Sequence, residues 1–410
     1  MTTVFTNAFL IDCTGAAPRE RMSVVVEGDN IVEIAEGSPG ALPADAQVID
    51  LAGKTLMPGL IDAHVHACAV DANPAEQHRR MPPSLIAIFA TIKLKEMLKW
   101  GFTTVRDAGG ADFGFRTAVE TGKIDGPRLR VSGNHLYQTG GHGDKRYPSE
   151  LCSCVMATDV GLIGGCVDGP DEMRKAVREN LRRRADQIKL MCSGGAMSPG
   201  DELHVAQFSV EEIEVAVKEA AAAHTYVMAH AYSAAAIRNA VKAGVRSIEH
   251  GNLIDEEAAV ELREAGAWLV PTLATYEALW RHGKEYGIPP FQLEKVDAAR
   301  ESGLRGLEIA YRLGLKIGSG SDLLGAMVKY QPLELELKAE VMKPMDVLIA
   351  TTRTNAELMR LDRKTGTVET GKWADLIVVD GNPLEAINLF QSPEKVPLIM
   401  KQGKTFKNRL

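Results

Sequence analysis

Two histidines separated by a single residue, His64 and His66, have a spacing that suits metal chemistry. They close the apolar segment LIDAHVH, which has the pattern of a short strand. Alternate side chains of a strand point the same way, so both imidazoles would face one ion. Imidazole nitrogen is an ordinary ligand of zinc and similar divalent metals. Taken alone the pair is a weak signal, because His-x-His also arises by chance.

Four more metal-compatible side chains lie in, or at the end of, later strand-like segments. The full candidate set is His64, His66, Lys189, His230, His250 and Asp322. In a barrel of parallel strands the active site lies at the C-terminal ends of the strands. All six side chains can therefore meet at one mouth, and this convergence is a stronger signal than the histidine pair.

The segments that would position these residues alternate with longer helical patterns from about residue 58 onwards, which predicts parallel β/α units. Several helical patterns end on glycine, as helices commonly do. Eight strand-like segments can be counted, at residues 60–66, 103–108, 128–133, 187–193, 226–231, 247–252, 268–273 and 316–322. Eight strands with intervening helices predict an α/β fold of the closed (β/α)8 TIM-like barrel type.

Both ends of the chain have instead the pattern of short strands joined by turns. We expect residues 1–57 and 361–410 to pair into one small accessory β-sandwich, because each end alone would leave strand edges unpaired. The barrel would then occupy residues 58–360.

Lys189 is the unusual member of the candidate set, because a protonated ammonium would be repelled by two dications. Either this lysine is neutral or a modification reverses its charge. A carbamate formed with carbon dioxide would supply two anionic oxygens, which could bridge metals about 3.5 to 4 Å apart. Together with Asp322 and a bridging hydroxide, it would leave the two dications a small positive charge that can polarise a carbonyl.

The segments PGLIDAHVH, MAHAY, SIEHGN and GSGSD, together with the strand that contains Lys189, resemble the metal-binding signatures of the amidohydrolase superfamily. The flanking segments LAGKTLMPG and GKWADLIVVDGNP resemble the entry to and exit from its accessory β-domain. FTTVRDAGG, SGNHLYQTGGHGD and VPTLATYEAL resemble, more narrowly, its prolidase-like branch, which includes Xaa-Pro dipeptidases and is related to imidazolonepropionases. The resemblance covers nearly the whole chain.

This resemblance implies two divalent metal ions, with zinc expected first, and a carboxylated lysine. It divides the six candidates between the two ions: His64, His66 and Asp322 for the more buried metal, His230 and His250 for the more exposed one, and Lys189 as the bridge.

The implied reaction is hydrolysis of an amide next to a free carboxylate, in Xaa-Pro-type dipeptides or related N-acyl amino acids, by a metal-bridging hydroxide. Asp322 would be the catalytic proton shuttle, which takes the proton of the hydroxide and delivers it to the leaving nitrogen. An amide-bearing toxin or a cyclic amide is a nearby alternative. A one-metal deaminase of a heterocyclic ring shares the histidines and the aspartate, but it does not need a bridging lysine, so Lys189 weighs against it.

The same resemblance makes two further residues candidates for substrate binding. His142 in the Gly-rich loop after the third strand and Tyr232 at the mouth could hydrogen-bond a substrate carboxylate or carbonyl. Without the resemblance, a solvated loop histidine and a packed tyrosine would be the simpler interpretation. His135, His204 and His224 have no evident partners and are expected at the surface.

The composition points to small-molecule chemistry. The 410 residues are 45% apolar and 25% charged, with a formal net charge of −7, which gives no footprint for nucleic acid or an anionic membrane. Six scattered cysteines do not suggest a disulfide framework. The N-terminus lacks the basic start and apolar run of a secretory signal. We therefore expect a cytoplasmic enzyme, and the resemblance favours a homo-oligomer.

Overall fold

The computed structural model describes residues 2–147, 149–150, 160–162 and 164–410. Its strands are β1 (Thr2–Leu10), β2 (Arg19–Glu27), β3 (Asn30–Glu36), β4 (Gln47–Asp50), β5 (Thr55–Pro58), β6 (Leu60–Val65), β7 (Phe102–Asp107), β8 (Arg128–Arg130), β9 (His135–Tyr137), β10 (Gly164–Cys166), β11 (Ile188–Met191), β12 (Val227–Ser233), β13 (Ser247–Leu253), β14 (Trp268–Val270), β15 (Lys316–Ile317), β16 (Leu376–Val379), β17 (Leu398–Lys401) and β18 (Lys404–Asn408).

The α-helices are α1 (Pro74–Arg80), α2 (Pro83–Lys99), α3 (Phe113–Glu120), α4 (Pro170–Arg182), α5 (Val210–Ala222), α6 (Ala234–Lys242), α7 (Glu256–Glu264), α8 (Leu273–His282), α9 (Pro290–Arg312), α10 (Leu333–Ala339), α11 (Pro344–Ile349) and α12 (Asn355–Leu358). In the described ranges, three 3₁₀ helices span Gly325–Tyr330, Ile387–Gln391 and Pro393–Lys395, and a π-helical turn spans Ala350–Thr354. Within the described ranges, no helix has the length and apolar character needed to cross a membrane.

The barrel consists of parallel strands in two hydrogen-bonded sheets. One sheet has the order β6-β7-β8, and the other has the order β10-β9-β11-β12-β13-β14-β15. Backbone hydrogen bonds join them at both seams: Asp186 N–H donates to the Val131 carbonyl at 2.7 Å, and Ala63 N–H donates to the Ser319 carbonyl at 2.8 Å. The predicted (β/α)8 barrel is confirmed.

The third strand of the barrel differs from its prediction. The sequence predicts one strand at residues 128–133, but β8 ends at Arg130 and β9 resumes at His135. Gly133, with a φ of 67°, lies in the interruption. β8 pairs with β7, whereas β9 pairs with β11 through Leu136 and Leu190. Two short strands, β8 and β9, therefore take the place of one barrel strand, and each pairs with a different neighbour.

The two chain ends form one mixed sheet, as predicted. Its order is β18-β17-β16-β5-β1-β2-β3, with β4 also paired to β1. Alternate residues of β16 face different cores: Leu376 and Val378 face a separate accessory core, whereas Ile377 and Val379 face the main core shared with the barrel. One face of the sheet thus packs against the barrel. The domain boundaries at residues 57–58 and 360–361 stay a prediction.

The helices that follow three site-bearing strands begin at side-chain caps. Ser209 caps α5, Ser233 caps α6 and Asp255 caps α7, and each side chain accepts a backbone N–H of the first helical turn. Such caps satisfy N–H groups that have no partner within the helix. They fix where the chain leaves each strand and turns back along the outside of the barrel.

Candidate metal centre and active site

The histidines of the first barrel strand lie against the carboxylate of Asp322. His64 is inside β6 and completely buried, and His66 follows the last residue of that strand. Their Nε2 atoms lie 3.6 Å and 3.3 Å from Asp322 Oδ1. Both rings therefore point to one place, as alternate positions of a strand require.

Asp322 reaches this place because the segment GSGSD runs alongside the first strand. Its N–H donates to the His64 carbonyl at 2.9 Å, so pairing continues beyond the end of β15. Gly320 permits the close approach, since a Cβ there would lie 2.5 Å from His64 Cβ. Asp322 itself has a φ of 52°, in the left-handed region that residues other than glycine rarely occupy.

His230 and His250 face the same space from the neighbouring strands β12 and β13. Their ring centroids lie 4.6 Å apart, and the His250 ring lies 4.9 Å from that of His64. Both strands extend past the histidines, to Ser233 and Leu253, so neither histidine is at the strand end where the sequence placed it. His250 shares the unusual left-handed backbone, with a φ of 73°.

Hydrogen bonds at the back of the rings determine which nitrogen is free. His66 Nδ1 lies 2.9 Å from the Gly109 carbonyl oxygen, and His230 Nε2 lies 3.0 Å from the Gly194 carbonyl oxygen. Because a carbonyl only accepts, these nitrogens carry the hydrogen, and the opposite nitrogen keeps its lone pair. Among the described residues, His64 Nε2 is buried without a hydrogen-bond partner. The rings thus present bare nitrogens, as a metal requires.

Lys189 lies on β11, where it is paired with Met228 of β12. Its side chain is completely buried, and its Nζ has no hydrogen-bond partner in the described part of the chain. Burial lowers the pKa of Lys189, although the carboxylates of Glu249 and Asp322 oppose the shift. A lowered pKa increases the neutral fraction, and only the neutral amine can add carbon dioxide.

Burial and the charge of Lys189 also lower the pKa values of the histidines. The pKa of His66 falls to about 3, and that of His64 lies well below its ordinary range. Burial raises the pKa of Asp322, against the opposing effect of the Lys189 and Lys93 ammonium groups. At neutral pH the histidines are therefore uncharged, which is the state that ligates metals.

These residues fit a metal group. His64, His250 and Asp322 each have a ligand atom within 4.8 Å of the others. Imidazole nitrogen and carboxylate oxygen suit zinc and related divalent ions. The unpartnered atoms of His64 and Lys189 agree with this fit, because buried polar atoms normally have a partner.

The two predicted substrate contacts reach the same cavity. His142 Nδ1 lies 2.8 Å from Ser198 Oγ. Tyr232 stacks on His250 with centroids 5.2 Å apart, and its hydroxyl oxygen lies 2.5 Å from that of Tyr276. Each side chain is therefore held by a neighbour beside the metal-compatible group, and a role of either one in substrate binding stays a prediction.

The prediction that His135 lies at the surface is wrong. This side chain is 1% exposed, lines the cavity, and has no hydrogen-bond partner for either ring nitrogen among the described residues. The reason is β9, the short strand that the sequence did not reveal. His204 and His224 are exposed, as expected.

Lys145 adds an ammonium group to the cavity. Its side chain is buried, and it donates to the His142 carbonyl at 2.8 Å. The ammonium has three N–H donors, and the described residues accept a hydrogen bond from one of them. Burial lowers its pKa to about 8. The apolar lining of the same cavity comprises Pro74, Leu162, Met191, Ala196, Met197, Leu279 and Leu324.

Two charged residues beneath the site, Arg106 and Glu249, were not predicted from the sequence. The guanidinium Nη2 lies 2.8 Å from Glu249 Oε1, and both side chains are completely buried. A signal was available, because each residue interrupts an apolar strand, in FTTVRD and in SIEHGN. Charged residues are rarely buried unless they are paired, so each pointed to an unseen partner.

Comparison with known proteins agrees with the geometry. The model of the amidohydrolase family matches residues 55–406. A solved prolidase with bound N-methylphosphonate-L-proline is 45% identical, with 100% of both chains covered and a TM-score of 0.95. A solved Xaa-Pro dipeptidase with methionine in its active site is 31% identical, again over 100% of both chains, with a TM-score of 0.90.

Ochratoxinase from Aspergillus niger is 35% identical over 364 residues, which is 86% of this chain and 75% of that protein. Its crystal structure covers 99% of this chain with a TM-score of 0.87. The chain therefore belongs to the amidohydrolase family and is a metal-dependent hydrolase that acts on C–N bonds.

Proposed function

We propose that the chain hydrolyses the amide bond of Xaa-Pro dipeptides, or of related N-acyl amino acids, next to a free carboxylate. The observation that carries this proposal is the buried Lys145 ammonium beside the metal-compatible residues. An ammonium with donors that the described residues leave unused suits a carboxylate, and the apolar lining suits a proline ring or another apolar side chain. Similarity to a prolidase and a Xaa-Pro dipeptidase supports the same substrate class.

We further propose two divalent ions, zinc first. The proposed ligands are His64, His66 and Asp322 for one ion and His230 and His250 for the other, with carboxylated Lys189 as the bridge. The neutral Lys189 amine would add carbon dioxide to form a carbamate and release one proton. When bound, the ions would polarise the scissile carbonyl and lower the pKa of water towards neutrality. The buried Lys189 Nζ supports this assignment, because it has no hydrogen-bond partner among the described residues.

Asp322 is the proposed proton shuttle. Its Oδ1 lies 3.6 Å from His64 Nε2 and 3.3 Å from His66 Nε2, so the carboxylate faces the proposed metal site. It would take the proton of the attacking water and pass it to the amide nitrogen, which leaves readily only when protonated. Lys145, His142 and Tyr232 would orient the substrate through its carboxylate or carbonyl.

The substrate class is tested by assaying the zinc-loaded enzyme against Xaa-Pro dipeptides, N-acyl amino acids and the same compounds with the carboxylate masked as an amide. We expect the masked compounds to react roughly tenfold to hundredfold more slowly, because a hydrogen bond to a charged group contributes about 1.5 to 3 kcal/mol. Equal rates for free and masked compounds would contradict the proposed recognition of the carboxylate.

The metal assignment is tested with Lys189→Ala. This variant should lose the bridge and most of its bound zinc, because IKLMCSGG offers no neighbouring carboxylate to replace it. Lys338→Met is the matched control, since it also removes a buried lysine, one that donates to the Gly318 carbonyl. If Lys189→Ala retains two zinc ions per chain and full turnover, the assignment of Lys189 as the bridge is wrong. If the wild-type protein binds one zinc ion per chain, the deaminase alternative is favoured.

An amide-bearing toxin is a second candidate substrate, favoured by the similarity to ochratoxinase. Including such amides in the same panel ranks them directly against the dipeptides by kcat/KM. A homo-oligomer stays a prediction, to be checked by the mass of the protein in solution.

A further inference from the structure

A buried charge network lies behind His64, on the side of the ring away from the cavity. It consists of His64 on β6, Arg106 on β7, and Ser247 and Glu249 on β13. All four side chains are 0% exposed. The network joins the first two barrel strands to the sixth across the barrel interior, and the proposed reaction gives no role to Arg106, Ser247 or Glu249.

Glu249 uses its two carboxylate oxygens on different partners. Oε2 lies 2.8 Å from His64 Nδ1. Oε1 accepts from Arg106 Nη2 at 2.8 Å and from Ser247 Oγ at 2.6 Å. The Arg106 Nε donates to the Ala63 carbonyl at 2.6 Å, which fixes the guanidinium beside the strand that carries His64.

This arrangement determines the tautomer of His64. A carboxylate only accepts, so Nδ1 carries the hydrogen and Nε2 keeps its lone pair. That Nε2 is buried without a hydrogen-bond partner in the described part of the chain, and it lies 3.6 Å from Asp322 Oδ1. Glu249 thus turns the free nitrogen of His64 towards the proposed ion.

The other three histidines have weaker partners at the back of the ring. His66 and His230 face carbonyl oxygens, and His250 Nδ1 lies 2.7 Å from Thr272 Oγ1. Among the described hydrogen bonds of these four rings, a carboxylate therefore backs His64 alone. A carboxylate increases the basicity of the imidazole that it accepts from, and so strengthens the ligand.

We propose that Glu249 is a positioning residue for the metal, which it holds through His64, and that Arg106 and Ser247 hold Glu249 in turn. This inference rests on the proposed role of His64 as a ligand. A purely structural role of the ion pair would affect stability alone, whereas a positioning role also affects metal affinity. Outer partners of metal-binding histidines typically change metal affinity by about 10-fold to 100-fold when removed.

The test is zinc affinity, measured by competition with a chelator, in wild type, Glu249→Gln and Glu334→Gln. Glu334 is the matched control: it is a buried carboxylate whose neighbours are Lys338 Nζ at 3.5 Å and the Ala274 N–H at 2.8 Å. We expect Glu249→Gln to bind zinc about 10-fold to 100-fold more weakly, because the amide lacks the charge that makes His64 a stronger ligand. Glu334→Gln should bind zinc as tightly as wild type.

Glu249→Gln leaves the Arg106 cation without its counter-charge and can fail to fold for that reason alone. The double variant Arg106→Gln/Glu249→Gln removes both charges and should show the same loss of zinc affinity. Wild-type zinc affinity in either folded variant, or an equal loss in Glu334→Gln, would overturn the inference and leave the proposed function intact. A wild-type protein that binds no zinc would overturn both.

Discussion

The floor and the roof of the site are built in different ways. We define the floor as His64, Arg106, Glu249 and Asp322, and the roof as residues 194–207, the loop that follows β11. In the floor, side chains from separate strands hold one another, and the charges of Arg106 and Glu249 are paired 2.8 Å apart with no exposure. Water cannot replace these contacts, so a buried network of this kind fixes its geometry.

Besides its contacts with His142 and His230, the roof is attached to helix α9 by the side chain of Lys295. Lys295 of α9 donates to the carbonyls of Gly195, Ser198 and Asp201, at 3.0, 2.9 and 2.8 Å. The lysine is partly exposed, so water can satisfy these carbonyls if it is removed. Gly195 lets the roof approach closely, since a Cβ there would lie 2.2 Å from His142 Cε1.

This difference assigns separate tasks to the two regions. A rigid floor suits metal binding and proton transfer, which tolerate little displacement of the reacting atoms. The roof is attached through backbone carbonyls that water can also satisfy, so it can shift more readily than the floor. Such a roof suits substrates of varied size. Substitutions in the floor should therefore change kcat, and substitutions at the roof should change KM.

The largest effect is expected in the floor, for Asp322→Asn. The amide cannot accept and return a proton, so turnover should fall by about 10² to 10⁴, the usual contribution of general acid-base transfer. The measurement is kcat with zinc content determined on the same sample. Near-normal turnover in a zinc-loaded Asp322→Asn enzyme would assign the proton transfer to another group.

Two of the four floor residues, His64 and Asp322, could be predicted from the sequence, because their signals are local. The spacing of two between His64 and His66, and the place of Asp322 at the end of a strand-like segment, are visible without a structure. The contact between Glu249 and His64 is different, since 185 residues separate them and the barrel alone brings them together. Short-range patterns indicate a strand and its faces, but they do not show which strand lies opposite.

The contacts of the roof and the position of His135 were harder to predict. Lys295 lies on a helix and meets carbonyl oxygens 94 to 100 residues away, and backbone acceptors have no sequence signature. His135 lines the cavity outside the roof, and it was missed because β9 is only three residues long, too short for an alternating pattern to be recognised. Substrate-facing residues of this protein thus depend more on tertiary packing than its metal-facing residues do.

An intermediate effect is expected for Tyr232→Phe, because Tyr232 belongs to neither region and lines the cavity together with Ala196 and Met197 of the roof. Tyr232 stacks on His250 and lines the cavity. If its hydroxyl binds the substrate carboxylate, kcat/KM should fall roughly tenfold to hundredfold for the free acid, the effect of about 1.5 to 3 kcal/mol. The compound with a masked carboxylate should lose little more.

Tyr276→Phe is the matched control, because it removes the hydroxyl that lies 2.5 Å from that of Tyr232 and leaves Tyr232 in place. Tyr276→Phe should lower kcat/KM for the free acid less than Tyr232→Phe does. Equal losses of free and masked substrates in Tyr232→Phe would mean that the tyrosine polarises the scissile carbonyl instead. If kcat/KM changes for neither the free nor the masked substrate, Tyr232 is a packing residue.

The smallest effect is expected at the roof, for Lys295→Met. The variant loses three hydrogen bonds to backbone carbonyls, but water can replace them, so we expect a net cost of about 1 kcal/mol, or roughly a fivefold rise in KM. Turnover and zinc content should stay unchanged, since Lys295 touches neither the histidines nor Asp322. Backbone amides of residues 194–207 should exchange hydrogen faster than in wild type.

Two variants separate this role from a general effect of charge. Lys295→Arg keeps donors that can reach the same carbonyls and should restore KM, whereas Lys284→Met removes an exposed lysine between α8 and α9 and should leave KM unchanged. A fall in kcat with loss of zinc in Lys295→Met would show that the roof also supports the metal ligands. The separation between a floor that governs turnover and a roof that governs affinity would then be wrong. The contact that would connect the two regions is that of His230 Nε2 with the Gly194 carbonyl, 3.0 Å away at the start of the roof.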